Sequence, residues 1–164
     1  MTKFHYVQRN QTSEFQPADV GLAAVDLKTV AGTLAAGVID IAGMTQIGVS
    51  CVYTFTGGTN PTQGAWKVQA QVMAEDGTQL SELIDIISVS AMTQATGATY
   101  RVFAGWSAML APAIQAYASG ATFAVGANLS ALRGAAYLKF KIDVTQGVNN
   151  ASTSTASVYV TAVP

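Results

Sequence analysis

The sequence predicts an all-β fold in which two antiparallel sheets pack face to face as a β-sandwich. Apolar and polar residues alternate in several short runs, which is the pattern of strands with one buried and one exposed face. Residues that favour turns separate these runs at short intervals, as they do in sandwiches. About eight strands follow from this pattern, in an Ig-like or jelly-roll-like arrangement, and a closed barrel is the alternative.

The first 17 residues predict an extended N-terminal arm. They are polar, have little periodicity and include charged side chains such as Lys3 and Arg9. A terminal segment of this kind becomes ordered when it lies against something else. The length of 164 residues suits one domain. The predicted organisation is therefore an arm over residues 1–17 and a single β-sandwich domain over residues 18–164.

Two short elements and one long strand are predicted after the arm. Ala18–Gly37 fits either a helix face or a short strand with a turn, because its apolar spacing suits a helix and its glycines do not. Val38–Ala42 predicts a short strand. In Thr45–Thr56, apolar residues alternate with polar ones, and Cys51 belongs to the apolar set. We expect Cys51 to lie in the core as a small apolar side chain.

The middle of the chain contains the clearest turn signal. Gly57–Gly64 predicts a long loop, and the alternation in Trp66–Glu75 predicts the strand that follows it. Asp76-Gly77 then indicates a tight turn, because glycine accepts a positive φ without a Cβ clash. The spacing of Trp66 among apolar neighbours favours packing in the core.

Three further strands are predicted before the C-terminal segment, at Leu80–Ser90, Thr99–Ser107 and Ala121–Asn128. The first of them is expected to contain a bulge. Ser107–Ala118 predicts a helical turn or an irregular sheet edge, because a proline interrupts it.

The C-terminal segment predicts an antiparallel hairpin. Apolar and polar residues alternate in Tyr137–Val144, Gln146–Thr155 is rich in turn-forming residues, and Ala156–Val163 resumes a β-rich run. Lysine stems on the outward face of such a hairpin can cover apolar surface while the amine reaches a carboxylate of a partner. A solvated strand face is the alternative for these outward side chains, which are Tyr137, Lys139, Lys141 and Tyr159.

The composition indicates a surface that neighbouring subunits cover. Charged residues make up 10% of the chain, against about 25% in ordinary globular domains. Charge is depleted at interface cores, so we expect a homo-oligomer, either a dimer or a trimer. A monomer with a Ser/Thr-rich surface is the alternative. The net charge of −1 provides no electrostatic attraction for nucleic acid or an anionic membrane, and neither is predicted as a partner.

The sequence contains no recognisable catalytic or metal-binding pattern. Its one histidine, His5, lies in the predicted arm, where it cannot serve a fixed Ser-His-Asp or Cys-His site. The single Cys51 excludes an internal disulfide and a zinc site with several cysteines, and the carboxylates are scattered. We therefore expect no enzymatic activity, no cofactor, no bound metal and no small-molecule substrate.

Several segments resemble the small β-sandwich virion proteins of tailed bacteriophages. In Leu132–Val163, an Arg-x-x-x-Tyr-Leu-Lys strand leads through a Gly/Ser/Thr loop into a last strand rich in Thr and Val. Three shorter segments match in order: Val38–Gly43, Thr54–Gly58 and Trp66–Thr78. The resemblance implies a non-enzymatic capsid decoration or cement protein, with the phage major capsid protein as partner. It also implies a location on the capsid surface of the virion, after assembly in the host cytoplasm.

The resemblance and the exposed patterns together give a set of candidate partner contacts. They are Lys3, His5, Tyr6, Arg9 and Phe15 in the arm, and Tyr137, Lys139, Lys141 and Tyr159 in the predicted hairpin. The alternative function is a carbohydrate- or receptor-binding module of a phage tail or fibre, which requires at least two exposed coplanar aromatic rings. A small hydrolase on the same scaffold is a third alternative.

Overall fold

A computed structural model describes residues 13–29, 31–56, 62–90, 92–93, 98–107, 110–117, 123–125, 132, 134–145 and 153–164. The helix α1 spans Pro17–Val20. The strands are β1 (Ser13–Phe15), β2 (Val25–Asp26), β3 (Ala31–Leu34), β4 (Ile39–Asp40), β5 (Gln46–Thr56), β6 (Thr62–Gln63), β7 (Trp66–Met73), β8 (Ile84–Val89), β9 (Met92–Thr93), β10 (Ala98–Ser107), β11 (Leu110–Tyr117), β12 (Phe123–Val125), β13 (Tyr137–Val144) and β14 (Thr153–Val163).

The strands form two antiparallel sheets that face each other, so the predicted β-sandwich is confirmed. Sheet A has the order β1-β14-β5-β10-β11, with β2 also beside β14. Sheet B has the order β12-β8-β7-β13-β3, with β4 also beside β13. The short strands β6 and β9 pair separately.

The core lies between the sheets and is built by the alternation of the strands. On β13 and β14 every second side chain is buried, from Leu138 to Val144 and from Ser154 to Ala162. Each large apolar side chain buried in this way contributes about 1.5–3 kcal/mol. The rings of Tyr53 on β5 and Trp66 on β7 lie 5.4 Å apart at 55°, so an aromatic pair joins the two sheets. The predicted inward positions of Cys51 and Trp66 are confirmed.

The predicted C-terminal hairpin is wrong. Strand β13 pairs with β7 in sheet B, whereas β14 pairs with β5 in sheet A. The two strands therefore belong to opposite sheets. Both strands bury one face in the same core, and a two-residue period does not distinguish neighbours in a sheet from strands in opposite sheets.

Part of the predicted N-terminal arm, residues 1–17, is paired with the described sheets. Residues 13–15 form β1 and pair with β14, with Phe15 opposite Val160. Phe15 is only 4% exposed and belongs to the core. Its side chain packs against its own chain, and the predicted partner contact of Phe15 stays a prediction. A three-residue edge strand carries too little periodicity to be recognised in a sequence.

The segment at Ala18–Gly37 combines the two alternatives that the sequence left open. Helix α1 makes a single turn, in which the Asp19 carboxylate accepts a hydrogen bond from the Gln16 backbone N–H at 3.0 Å. Gly21 ends the helix with φ +80, as glycine commonly does at helix ends. The short strands β2 and β3 follow it.

Two other predictions concern turns and edges. The Asp76-Gly77 turn is confirmed, with Gly77 at φ +86 and the Thr78 N–H donating to Asp76 Oδ1 at 2.8 Å. That hydrogen bond lowers the pKa of Asp76.

The segment Ser107–Ala118 contains β11, the edge of sheet A, instead of a helical turn. Pro112 falls where the register of β10 and β11 shifts, and edges with such irregularities tolerate proline.

Part of the predicted Gly57–Gly64 loop lies outside the described residues, and Thr62–Gln63 within it forms β6. Among the described residues, no helix has the length and apolar character needed to cross a membrane.

Candidate docking surface

The strands β5 and β14 contribute no charged residue to the outward side of sheet A, and we call their outward side the neutral face; the register sets Arg101 of β10 opposite Val52 at its border. The alternation that buries Cys51 and Val158 turns the intervening side chains outward, and the register sets Tyr159 beside Ser50. Neither strand contains a charged residue along its 11 positions. The neutral face consists of half-buried hydroxyl, aliphatic and aromatic side chains: Ser50, Val52, Thr54, Ser157, Tyr159 and Thr161.

A groove of about 430 Å³ runs along the neutral face next to β1. Its lining includes Ser50, Val52 and Tyr159, with the exposed Glu14 of β1 contributing to it as well. Glu14 lies opposite Thr161 in the β1–β14 register. Except for Glu14, the lining offers only apolar groups, hydroxyls and amides. Such groups cost little to remove from water when a partner supplies hydrogen bonds.

The outward side of sheet B has the opposite character, and we call it the charged face. It carries lysine, aspartate and glutamine side chains that contact each other. Lys67 Nζ lies 3.0 Å from Asp85 Oδ2, and Gln69 Nε2 donates to Asp85 Oδ1 at 2.7 Å. Lys141 Nζ lies 2.7 Å from Asp143 Oδ1. The members of the charged face are Lys67, Gln69, Gln71, Asp85, Tyr137, Lys139, Lys141 and Asp143.

Asp85 is the centre of one of these networks. Partial burial raises the pKa of Asp85, but hydrogen bonds from Gln69 and Lys67 and the positive charge of Lys67 outweigh it, so the pKa lies below its usual value. Gln69 is 8% exposed, and its Oε1 has no hydrogen-bond partner in the described part of the chain. Several charged and amide groups of the charged face therefore have ion-pair or hydrogen-bond partners on the same face.

The structure separates the predicted contact residues. Tyr137, Lys139 and Lys141 lie on the charged face, whereas Tyr159 lies on the neutral face at the other side of the sandwich. The amine of Lys141 is already paired within the chain, and Lys139 has no ion pair among the described residues. The remaining predicted contacts, Lys3, His5, Tyr6 and Arg9, lie outside the described residues.

Sequence reasoning missed Ser50, Val52 and Thr161 as neighbours of Tyr159. The signal that could have found them is the complete absence of charge from two long strands. Outward strand positions in water are normally polar and often charged, so two uncharged strands side by side make this face a candidate for contact with a partner. Their adjacency is a property of the fold, and the alternation does not encode it.

The structure offers little for catalysis or metal binding in its described part. No group of three or more His, Cys, Asp or Glu residues there could hold a metal ion. The Cys51 thiol is completely buried, and this burial raises its pKa to about 12, against a smaller opposing effect of a hydrogen bond with the Ser157 backbone. A thiol in that environment is a packing group.

Comparison with known proteins gives structural similarity only. No family model matches the chain, and no characterised protein matches it in sequence. A chain of the T13 viral particle of infectious bursal disease virus is similar, with 12% identity, a TM-score of 0.43 and coverage of 95% of this chain and 31% of that one. The VP2 subviral particle of the same virus gives 10% identity, a TM-score of 0.37 and coverage of 93% and 32%.

Peanut lectin is also similar, with 9% identity, a TM-score of 0.47 and coverage of 92% of this chain and 90% of the lectin. This chain spans about a third of the virus chains that it matches. These similarities to the virus chains and to the lectin concern the fold.

Proposed function

We propose that this protein is a non-enzymatic structural virion protein that binds the outer surface of a tailed-phage capsid and reinforces contacts between capsomers. The neutral face is the observation that carries the proposal. Its partner would be the major capsid protein, and the sequence resemblance to phage decoration proteins supports that choice. The proposed location is the capsid surface, after assembly in the host cytoplasm.

The two outer faces differ in the free energy needed to remove them from water. Burying an ionised side chain at an interface costs several kcal/mol unless a partner charge compensates it. The neutral face carries no ionised side chain on β5 or β14, and its hydroxyls can exchange water for hydrogen bonds to a capsid subunit. The aliphatic and aromatic side chains there, Val52 and Tyr159, would supply apolar burial. Many such contacts, repeated over a shell, add up without any single strong interaction.

The carbohydrate-binding alternative has less support from the described residues. Sugar stacking uses exposed aromatic rings, and this alternative requires two that are coplanar. Tyr53 and Trp66 are buried in the core. Tyr137 and Tyr159 are half-buried on opposite faces, so they cannot form one platform.

A matched pair of substitutions tests the proposal. Tyr159→Glu and Tyr137→Glu place the same new charge on two half-buried tyrosines, one on each face. Binding of the purified protein to capsids stripped of it would be measured by co-sedimentation, with circular dichroism as the folding control. We expect Tyr159→Glu to weaken binding by about tenfold or more and Tyr137→Glu to leave it nearly unchanged.

Two results would overturn the proposal. One is absence of the protein from purified virions together with no binding to the stripped capsids. The other is a loss of capsid binding for Tyr137→Glu with Tyr159→Glu unaffected, which would assign docking to the charged face.

A further inference from the structure

The groove beside β1 has an acidic side chain at its border. Among the residues that line the groove, Glu14 is the one that carries a charge, and it is exposed. Glu14 lies opposite Thr161 in the β1–β14 register, and directly opposed residues point to the same side of a sheet. The Glu14 carboxylate therefore lies on the same outer side of sheet A as Tyr159, two residues before Thr161 on β14.

The carboxylate of Glu14 makes no ion pair or side-chain hydrogen bond within the described residues. Asp26 provides a contrast, because it is also exposed and also lies beside β14, opposite Thr155. The Lys28 N–H donates to Asp26 Oδ1 at 2.9 Å, and Lys28 Nζ lies 4.0 Å from Asp26 Oδ2. Asp26 is thus paired within its own chain, whereas Glu14 can pair with a partner.

The basic residue at the other border of the neutral face is remote from Glu14. Arg101 lies opposite Val52, and Thr161 lies opposite Gly48. Arg101 is therefore four residues along β5 from the row that contains Glu14, and it lies three strands away from β1. These steps correspond to about 13 Å along the strands and about 14 Å across them. The register therefore places the two charges at different ends of the neutral face.

We propose that the groove binds an extended, otherwise uncharged segment of the capsid protein, and that a lysine or arginine of this segment pairs with Glu14. The inference rests on the proposed function, because it takes the capsid protein as the partner. The volume of about 430 Å³ accommodates a few residues. Their uncharged part lies along Val52 and Tyr159, which supply apolar contact, and the hydroxyl of Ser50 is available for a hydrogen bond.

Charge complementarity selects this occupant. An acidic segment would bring two like charges together at Glu14. A segment with no charge at all would take water away from the carboxylate without replacing it, and an ionised group that loses water is stable only when it is paired. A basic side chain supplies the missing partner, and the guanidinium of arginine can donate two parallel hydrogen bonds to a carboxylate.

The exposure of Glu14 limits the size of the effect. Charges at the rim of an interface influence the association rate and the salt dependence more than the total affinity. Exposed ion pairs contribute little, so we expect loss of the Glu14 charge to weaken capsid binding by about two- to fivefold at low ionic strength. The loss is smaller than the one expected for Tyr159→Glu at the centre of the groove.

Co-sedimentation with stripped capsids at low and at high ionic strength tests the pairing. Glu14→Gln removes the charge and keeps an amide of similar size, and we expect it to bind more weakly than the wild type at low ionic strength. Salt screens the interaction of exposed charges, so this difference should disappear at high ionic strength. Asp26→Asn is the matched control, since it removes an exposed acid beside the same strand but outside the groove, and it should bind as the wild type does.

Two measurements on the free protein identify rival partners for Glu14. Urea unfolding should give the same stability for the wild type and Glu14→Gln. A less stable Glu14→Gln would mean that the carboxylate is paired within its own chain. Sedimentation velocity should show the same oligomeric state for both proteins. Self-association of the wild type that is lost in Glu14→Gln would identify a second copy as the occupant, and either result would overturn the inference.

The capsid experiment separates this inference from the proposed function. Wild-type binding that Glu14→Gln reproduces at both ionic strengths would overturn the pairing at Glu14 and leave capsid binding in place. Equal weakening by Glu14→Gln and Asp26→Asn would also overturn it, because the effect would then follow net charge instead of the groove. Failure of the wild type to bind the stripped capsids would overturn both proposals.

Discussion

The two outer faces of this sandwich come from the same alternation of residues but have different chemistry. On the neutral face, two adjacent strands of 11 residues contain no charge. On the charged face, Lys67 pairs with Asp85 and Lys141 pairs with Asp143. Alternation therefore decides which side chains point outward, and their identity decides whether the face suits water or a partner. The charged face pairs Lys67 and Lys141 with aspartates of its own sheet, whereas β5 and β14 on the neutral face contain no charge that a partner would have to compensate.

The largest expected effect comes from the core that supports both faces. Trp66→Ala removes the ring that contacts Tyr53 across the sheets and should lower the free energy of unfolding by about 3–5 kcal/mol. Urea unfolding measures the change. Trp66→Phe is the control and should cost much less, because it keeps a ring and removes an Nε1 that has no hydrogen-bond partner in the described structure. Equal stability of Trp66→Ala and wild type would contradict the assigned role of this pair.

A smaller effect is expected within the charged face. Asp85→Ala leaves the buried Gln69 amide without its acceptor and should destabilise the fold by about 1–3 kcal/mol, measured by urea unfolding. Asp85→Asn retains an oxygen acceptor for Gln69 Nε2 and should recover part of this loss. Capsid binding by Asp85→Asn should equal that of the wild type. A marked loss of binding would remove the distinction between the two faces.

The pH dependence of stability sharpens the same comparison. A carboxyl with a lowered folded-state pKa stabilises the fold above its unfolded-state value of about 4, and the contribution is lost as the pH falls through the folded pKa. Asp85 has such a lowered pKa. The free energy of unfolding should therefore decrease on acidification below about pH 4, and less steeply in Asp85→Asn. Identical pH profiles for the two proteins would show that Asp85 does not contribute.

The smallest effect is expected at the second ion pair. Lys141 and Asp143 are partly exposed, with 23% and 27% of their side chains accessible, and exposed pairs contribute about 0–1 kcal/mol. Lys141→Met should therefore change the free energy of unfolding by no more than about 1 kcal/mol. Lys139→Met is the matched control on the same strand and face, without an ion pair in the described region. A large loss for Lys141→Met alone would mean that this pair is structural.

The sequence predicted what is local and missed what depends on pairing between distant segments. The alternation in Thr45–Thr56 and Tyr137–Val144 gave strands and inward side chains correctly, because burial repeats every second residue. The same signal assigned β13 and β14 to one hairpin, although they belong to opposite sheets. Tyr137 and Tyr159 were consequently placed on one face.

The candidate site was therefore only partly predictable. Tyr159 was identified from its outward position, but Ser50 and Val52 become its neighbours only through the pairing of β5 with β14. Phe15 was assigned to an arm because β1 is too short to show a period, and its burial depends on β14. Pairing partners are set by long-range contacts, which a single sequence does not specify.

Hydroxyl-radical footprinting of the protein, free and bound to capsids, tests most directly whether the neutral face is the docking surface. Tyr159 and Tyr137 are matched reporters, since each is a half-buried tyrosine on one outer face. The account predicts that capsid binding protects Tyr159 from oxidation and leaves the oxidation rate of Tyr137 unchanged. Protection of Tyr137 with no change at Tyr159 would contradict it.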